Sequence, residues 1–326
     1  MPEPVLIVAP ANDLHALTVQ RVLEKNFAAE SIIWDTSQLS KNERISLYPR
    51  EAEEPFHLKL DQCFVRGTGI LSIWWRRPNG FVTSRGAATN SVSNFNRNEY
   101  SALLHGALSS LAVPILNDPS MEMRASRKPF QLSVAHSLGL SIPETIISND
   151  PHAIQTFWEK RDQNCIYKTL TPMEGRLLET RRLTEADFDE IDKVRHAPII
   201  VQEIVQGLDI RINVIGNEIF GAEVVPTTLE AELDCRIDPR VKWEKHAVDE
   251  ALQRDLRAFV RRLGLDYGSI DMRRTLEGRY VFFEINPSGQ FLFIEIDTGH
   301  PLSDAMAAML LSPQSGTRSN GIGKMP

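Results

Sequence analysis

The chain opens on a continuous apolar run, Val5-Leu6-Ile7-Val8-Ala9, closed by Pro10-Ala11-Asn12-Asp13. A run this short suits a buried strand, and Asn12 or Asp13 is available to cap a helix predicted from Leu14 to Lys25. Ser31-Ile32-Ile33-Trp34 reads as the next strand, so the opening is β-α-β, the start of a doubly wound sheet. Residues 40–60 are polar and mixed, the pattern of short edge strands and turns. Ile73-Trp74-Trp75-Arg76-Arg77-Pro78 then carries two adjacent arginines off a strand into a proline stop. Leu103, Leu104, Ala107, Leu108 and Leu111 recur at helical spacing and predict a helix from Asn98 to Leu111.

Leu116-Asn117-Asp118-Pro119-Ser120 punctuates the chain and marks a boundary. Beyond it a helix is predicted from Met121 or Ser126 to Leu138, ended by Gly139 at C′ and kept from continuing by Pro143. A strand over Ile142–Ile147, a helix over Pro151–Lys160 and a strand over Cys165–Leu170 follow. Thr171–Arg176 reads as a loop and Thr184 as the start of a short helix. From Ile199 to Val225 two apolar runs flank Gly216-Asn217, as in a hairpin. Leu252, Leu256, Phe259, Val260 and Leu263 form one stripe of a helix over Val248–Leu263. The residues from Pro313 onward have the Ser/Gly/Pro-rich composition of a disordered tail.

A length of 326 residues fits about two domains, or one elaborate α/β domain. The formal net charge of −7 argues against a broad electrostatic grip on nucleic acid or acidic lipid. Cys63, Cys165 and Cys235 are far apart and form no CxxC pair, which disfavours a disulfide framework or a cysteine zinc site. No stretch approaches the roughly 18 apolar residues of a membrane span. The expectation is a cytoplasmic protein without a membrane or nucleic-acid partner.

The chemistry concentrates between Gly268 and Pro287. Strand-like runs Ser269–Arg274 and Tyr280–Asn286 flank a turn centred on Glu277-Gly278, which sets Asp271 across from Glu284, Ser269 across from Asn286 and Arg273 across from Phe282. Alternation then puts Asp271, Arg273, Glu284 and Asn286 on one face, with Ile270, Met272, Val281, Phe283 and Ile285 on the other. Facing carboxylates need a counter-charge. Arg273 would supply some of it, leaving a solvated polar face, whereas a divalent cation would supply more. Oxygen-only ligands favour magnesium or manganese over zinc. Asp209-Ile210-Arg211-Ile212-Asn213-Val214 alternates in the same way, either as a half-exposed strand or as the floor of a phosphate-and-metal site.

Taken with Lys128 early in a helix, Lys168 on a strand and Gln202-Glu203-Ile204-Val205, these residues stand in the order used by ATP-grasp ligases. The ending Glu284-Ile285-Asn286-Pro287, after an aspartate on the neighbouring strand, is its most specific part. Trp74-Trp75-Arg76-Arg77-Pro78, Asn117-Asp118-Pro119 leading to Lys128 and Gln131-Leu132, Leu140–Thr145 with Asn149-Asp150-Pro151, and Asn286–Phe291 carry a narrower match. On these passages the chain resembles the graspetide (microviridin-type) peptide macrocyclases. The resemblance covers residues 4 to 311.

It implies an α/β (α+β) fold with an N-terminal doubly wound pre-ATP-grasp domain (1–118), a central domain (119–198), a C-terminal antiparallel-sheet domain (199–312) and a tail (313–326). Lys128 and Lys168 would hold ATP phosphates, Glu203 and the Ile204 backbone the adenine, and Asp209 the ribose. Asp271, Glu284 and Asn286 would bind magnesium, with manganese as a substitute. Arg211 and Arg236 would act catalytically beside the transferred phosphoryl group and the substrate carboxylate, and Thr171–Arg176 would form a lid. Asp234-Cys235-Arg236 resembles the family's D-x-R motif, with Cys235 where an aromatic is common. A ribosomal precursor peptide would meet Asp234, Arg236 and Arg273, and its leader the helix Glu185–Lys193 carrying Glu190 and Asp192. Arg76 and Arg77 are read either as surface residues or as part of a binding site. The family also implies a homodimer and ATP-dependent closure of ω-ester or ω-amide rings. The rivals are a carboxylate–amine ligase with another acceptor and a nucleotide-binding protein without turnover.

Overall fold

Asp13 caps the first helix: its Oδ1 accepts the Ala16 amide at 2.8 Å, and α1 (Leu14–Phe27) follows β1 (Val5–Val8). The computed structural model describes residues 3–39, 41–51, 56–60, 63–78, 91–171, 180–225 and 241–313. After β2 (Ser31–Trp34), a small antiparallel sheet forms from β3 (Arg44–Leu47), β4 (Phe56–Lys59) and β5 (Phe64–Arg66). With β6 (Ser72–Trp75) and β7 (Ile115–Leu116), the first strands make a parallel sheet ordered β2-β1-β6-β7. The unbroken apolar run of β1 has its reason here, since a parallel strand is covered on both faces. Val5 and Ile7 share a core with Val19 and Leu23 of α1, while Leu6 and Val8 pack with Leu104 and Leu108 of α2 (Ser91–Ser110). That second helix starts earlier than the predicted Asn98.

Of the two starts read for the helix up to Leu138, the later one fits α4 (Lys128–Ser137), and the earlier one falls in a separate helix, α3 (Pro119–Ala125). Pro129 explains the break. Proline is tolerated in the first turn of a helix but clashes with the preceding turn in the interior, so α4 restarts just before it. The central sheet is ordered β10-β9-β11-β8, from β8 (Thr145–Ser148), β9 (Cys165–Thr169), β10 (Arg181–Arg182) and β11 (Ile199–Glu203). It carries α5 (Pro151–Lys160) and a 3-10 segment, Glu185–Arg195.

The expected hairpin from Ile199 needs correcting, because β11 belongs to the central sheet and pairs with β8 and β9. Only β12 (Leu208–Ile215) and β13 (Glu218–Val225) turn about Gly216-Asn217. The chain crosses between sheets at Gly207, whose φ of 146° suits glycine and whose added Cβ would sit 2.1 Å from the Arg274 carbonyl.

Adding β14 (Lys242–His246), β15 (Tyr267–Arg274) and β16 (Tyr280–Asn286) gives a five-stranded antiparallel sheet, β14-β13-β12-β15-β16. Its apolar face packs Ile210, Ile212, Ile270 and Met272 against Leu132 of α4 and Leu256 and Phe259 of α6 (Glu250–Arg262). Two last helices, α7 (Leu292–Thr298) and α8 (Leu302–Leu311), return to the first sheet. Met306 and Leu310 share one core with Val5, Ile7, Ile215 and Tyr267. The residues after 313 and those at 172–179 lie outside the described residues, and with them the predicted tail and most of the predicted lid. Among the described residues no helix is long and apolar enough to cross a membrane.

Candidate active site

The other face of β12, β15 and β16 is built in rows. Arg211 stands opposite Asp271 and Asp271 opposite Glu284; in the next row Asn213 faces Ser269 and Ser269 faces Asn286. Both carboxylate and amide pairings agree with the sequence reading. Beyond Asp271 a bulge corrects it: Arg273 faces Val281, not Phe282. The extra residue in β16 is Phe283, and one added residue reverses the alternation that follows. Phe282 is therefore fully buried with Met272. Phe283, expected in the core, lies on the polar side with the Arg273 guanidinium 5.4 Å from its ring.

The facing carboxylates receive their counter-charge from elsewhere. Lys128 Nζ lies 2.9 Å from Glu284 Oε2, and Arg211 Nε 2.8 Å from Asp271 Oδ1. Arg273 turns away from this cluster. Its Nε and Nη2 reach Asp209 Oδ1 at 2.9 and 2.5 Å, and its Nη1 the Val205 carbonyl at 3.0 Å. At 6% exposed, Arg273, expected at a peptide, braces the β11–β12 crossover through Asp209 and Val205. Asp209, the residue expected at a ribose, meets Arg273 through its Oδ1.

Gln131 explains how Lys128 reaches the sheet. Its Nε2 donates to the Ile285 carbonyl at 2.8 Å and its Oε1 accepts the Ile285 amide at 3.1 Å. Residues three apart share a helix face, so clamping Gln131 on Ile285 brings Lys128 over the adjacent Glu284. Asn286 Oδ1 accepts the Ser288 amide at 3.0 Å, which fixes how its side-chain amide points. Among the described residues no group of three or more His, Cys, Asp or Glu side chains could hold a metal. The candidate set here is two carboxylates and an amide on adjoining rows, hard oxygen donors that fit magnesium.

No family model matches the chain. Macrocyclase MdnC bound with precursor peptide MdnA, from Microcystis aeruginosa MRC, superimposes with a TM-score of 0.84 at 25% identity, covering 94% of this chain and 98% of that one. ATP-grasp ligase PsnB, complexed with a phosphomimetic variant of a minimal precursor, Mg and ADP, gives 0.78 at 21% identity, covering 96% and 98%. In sequence, the D-alanine–D-alanine ligase of Aquifex aeolicus (strain VF5) is 24% identical over 196 residues, 56% of this chain and 66% of that enzyme. The chain thus spans just under two thirds of this curated relative's length. The chain has the fold of the ATP-grasp ligases.

Its remaining predicted site residues lie off the three rows. Lys168 is in the middle of β9, opposite Ile200. Glu203 Oε1 accepts the Glu144 amide at 3.0 Å, and the Ile204 amide donates to the Asn164 carbonyl at 3.0 Å. Glu190 and Asp192 are on the exposed 3-10 segment, paired with Lys193 at 2.6 Å and Arg195 at 2.9 Å. Asp234, Cys235 and Arg236 lie outside the described residues.

Other residues that hold the segment after β16 had no role in the sequence reading. Asn117, read as punctuation, is 3% exposed; its Nδ2 donates to the Tyr267 and Pro287 carbonyls at 2.9 and 2.8 Å, and its Oδ1 accepts the Asp266 and Tyr267 amides. His15 Nε2 accepts the Phe291 and Leu292 amides at 3.0 and 3.2 Å, which requires a neutral ring. Burial first, then the Arg76 charge, lowers its pKa to about 4 and keeps it neutral. Glu122 Oε1 accepts the Ser288 hydroxyl. Only one signal pointed here: a charged or amide side chain beside each of Pro78, Pro119 and Pro287.

Proposed function

We propose that this ligase activates an Asp or Glu side chain of a ribosomally made precursor peptide as an acyl phosphate. It then closes an ω-ester or ω-amide ring with a Ser or Thr hydroxyl, or a Lys amine, of the same peptide. What carries the reading is superposition over almost the whole chain on a macrocyclase bound with a precursor peptide. The chemistry agrees. A γ-phosphate and a carboxylate are both anions, so joining them requires fixed positive charge where they meet.

Lys128 and Arg211, each beside a partly exposed carboxylate, are placed to exchange that partner for a phosphoryl oxygen, which a guanidinium takes in bidentate fashion. Asp271, Glu284 and Asn286 would hold magnesium, which when bound supplies further neutralisation of the phosphates. The peptide carboxylate attacks the γ-phosphorus and ADP leaves; the hydroxyl or amine then attacks the acyl carbon, gives up its proton and expels phosphate. Holding both reacting ends raises their effective concentration. In the same reading Lys168, Glu203, Ile204 and Asp209 attend the nucleotide, Asp234 and Arg236 the core peptide, and the segment with Glu190 and Asp192 the leader, in a cytoplasmic homodimer.

Incubation with ATP, magnesium and the peptide of a neighbouring short reading frame should remove one water per ring. Unchanged intact mass for every neighbouring precursor refutes the proposal. A mass gain instead selects a carboxylate–amine ligase joining separate molecules, which the likeness to D-alanine–D-alanine ligase favours.

A further inference from the structure

The turn after β16 is held from outside its own sheet. Asn117 takes the Pro287 carbonyl, and Asn286 Oδ1 takes the Ser288 amide. Arg76 Nη1 donates to the Ser288 and Gly289 carbonyls at 2.5 and 3.1 Å, and Arg77 Nε to the Ser288 carbonyl at 2.9 Å. Tyr267 Oη adds a bond to the Gly289 carbonyl at 2.9 Å. The turn also lies flat on the site, since a Cβ on Gly289 would fall 2.3 Å from the Cβ and Oγ of Ser269. Ser269 is the residue paired with Asn286.

Arg76 is 1% exposed, and its Nε and Nη2 have no hydrogen-bond partner. Asp13 Oδ1 is 3.7 Å from that Nε. Unpaired buried donors are costly, and an apolar side chain of similar volume often replaces a buried ion without loss of stability. An arginine here therefore does something other than fill space. Its grip on the Ser288 and Gly289 carbonyls fixes the peptides after Ser288, as Asn117 fixes the one before it through the Pro287 carbonyl; together they set where the Ser288 amide points and how Asn286 is aimed.

We propose that Arg76, reaching from the first sheet, is a positioning residue that aims the Asn286 amide oxygen through the Ser288–Gly289 turn. The proposal rests on Asn286 facing the metal in the ligase reading. Titrating the full chain with Mn2+ at saturating ADP against a matched blank of ADP alone, with free Mn2+ followed by electron paramagnetic resonance, reads that geometry without turnover as the uptake in excess of the blank. Arg76→Lys keeps the cation but loses the planar fork, and Arg76→Gln keeps a donor without the charge. Both should raise the half-saturating Mn2+ concentration about 10- to 100-fold, as loss of outer-shell support does elsewhere, while leaving metal-free ADP binding unchanged.

Unaltered half-saturation in a folded variant overturns the role of Arg76 and leaves the ligase reading standing. No Mn2+ uptake by the wild type with ADP overturns the metal-facing Asn286 and the proposal with it. Loss of cooperative unfolding in both variants makes Arg76 a folding residue and overturns the proposal too.

Discussion

Glu122 offers a sharp test of the buried cluster around the Ser288 turn. Its Oε1 accepts the Ser288 hydroxyl, and its Oε2 is buried without a hydrogen-bond partner. Burial pushes the carboxyl from the ordinary 4.5 up to about 7, although the Ser288 hydrogen bond and the charges of Arg76 and Arg77 pull the other way. The folded protein then keeps a proton that the unfolded chain has already released. Stability due to this group is complete below 4.5 and drains away as pH rises through 7. Between about pH 5 and pH 8 these two pKa values correspond to a loss of about 2–3 kcal/mol.

Glu122→Gln keeps the shape and a partner for Ser288 but has no proton to lose. The variant should therefore gain about 2–3 kcal/mol on the wild type across that range. His15 works in the opposite sense: burial holds it at about 4 instead of 6.5, so its contribution is complete above 6.5 and is lost as pH falls toward 4. Asp266, raised to about 6 by burial, adds to the Glu122 slope. Both cancel when variant and wild type are compared at each pH. Urea unfolding of the pair at four pH values, with equal m-values, gives the difference curve. A flat curve would falsify the buried ionisation of Glu122.

Asp271→Asn removes the partner of Arg211 and one expected metal ligand; peptide-dependent phosphate release should fall at least about a hundredfold, with the unfolding transition retained, and undiminished release would remove Asp271 from the site. Gly289→Ala drives a methyl into Ser269 and should cost about 1–3 kcal/mol, measured by urea denaturation; an unmoved midpoint contradicts the close approach. Arg273→Met strands the half-buried Asp209 carboxylate and should cost about 1–3 kcal/mol. Adding Asp209→Asn should recover part of that cost, so a simple sum of the two single effects would exclude coupling between them.

Local alternation made much of the catalytic sheet legible. Apolar and polar residues take turns from Asp209 to Val214 and from Ser269 to Arg274, and a strand with one face against helices has to read that way. The bulge was not legible, because Phe282 and Phe283 are both aromatic and either satisfies the buried position. The source of the counter-charge was hidden for a different reason: Arg273 is close to Asp271 in sequence, yet among the described residues Lys128 and Arg211 are the cations shown in contact with the two carboxylates. Arg76 and Asn117 show the same limit more strongly. An arginine or asparagine beside Pro78 or Pro119 looks like solvent-facing punctuation, and only a turn far along the chain converts it into a buried brace.

The rows that carry the charges follow from short-range pattern, whereas the groups that hold those rows in place are chosen by long-range packing. The helix α4 links the two levels. Gln131 seals the backbone of β16 at Ile285, and the same helical face carries Lys128 to Glu284. Among the described residues Lys128 and Arg211 are paired with these two carboxylates. Such pairing offsets the repulsion of facing Asp271 and Glu284. It also keeps the cations within reach of the phosphoryl group whose transfer they would assist.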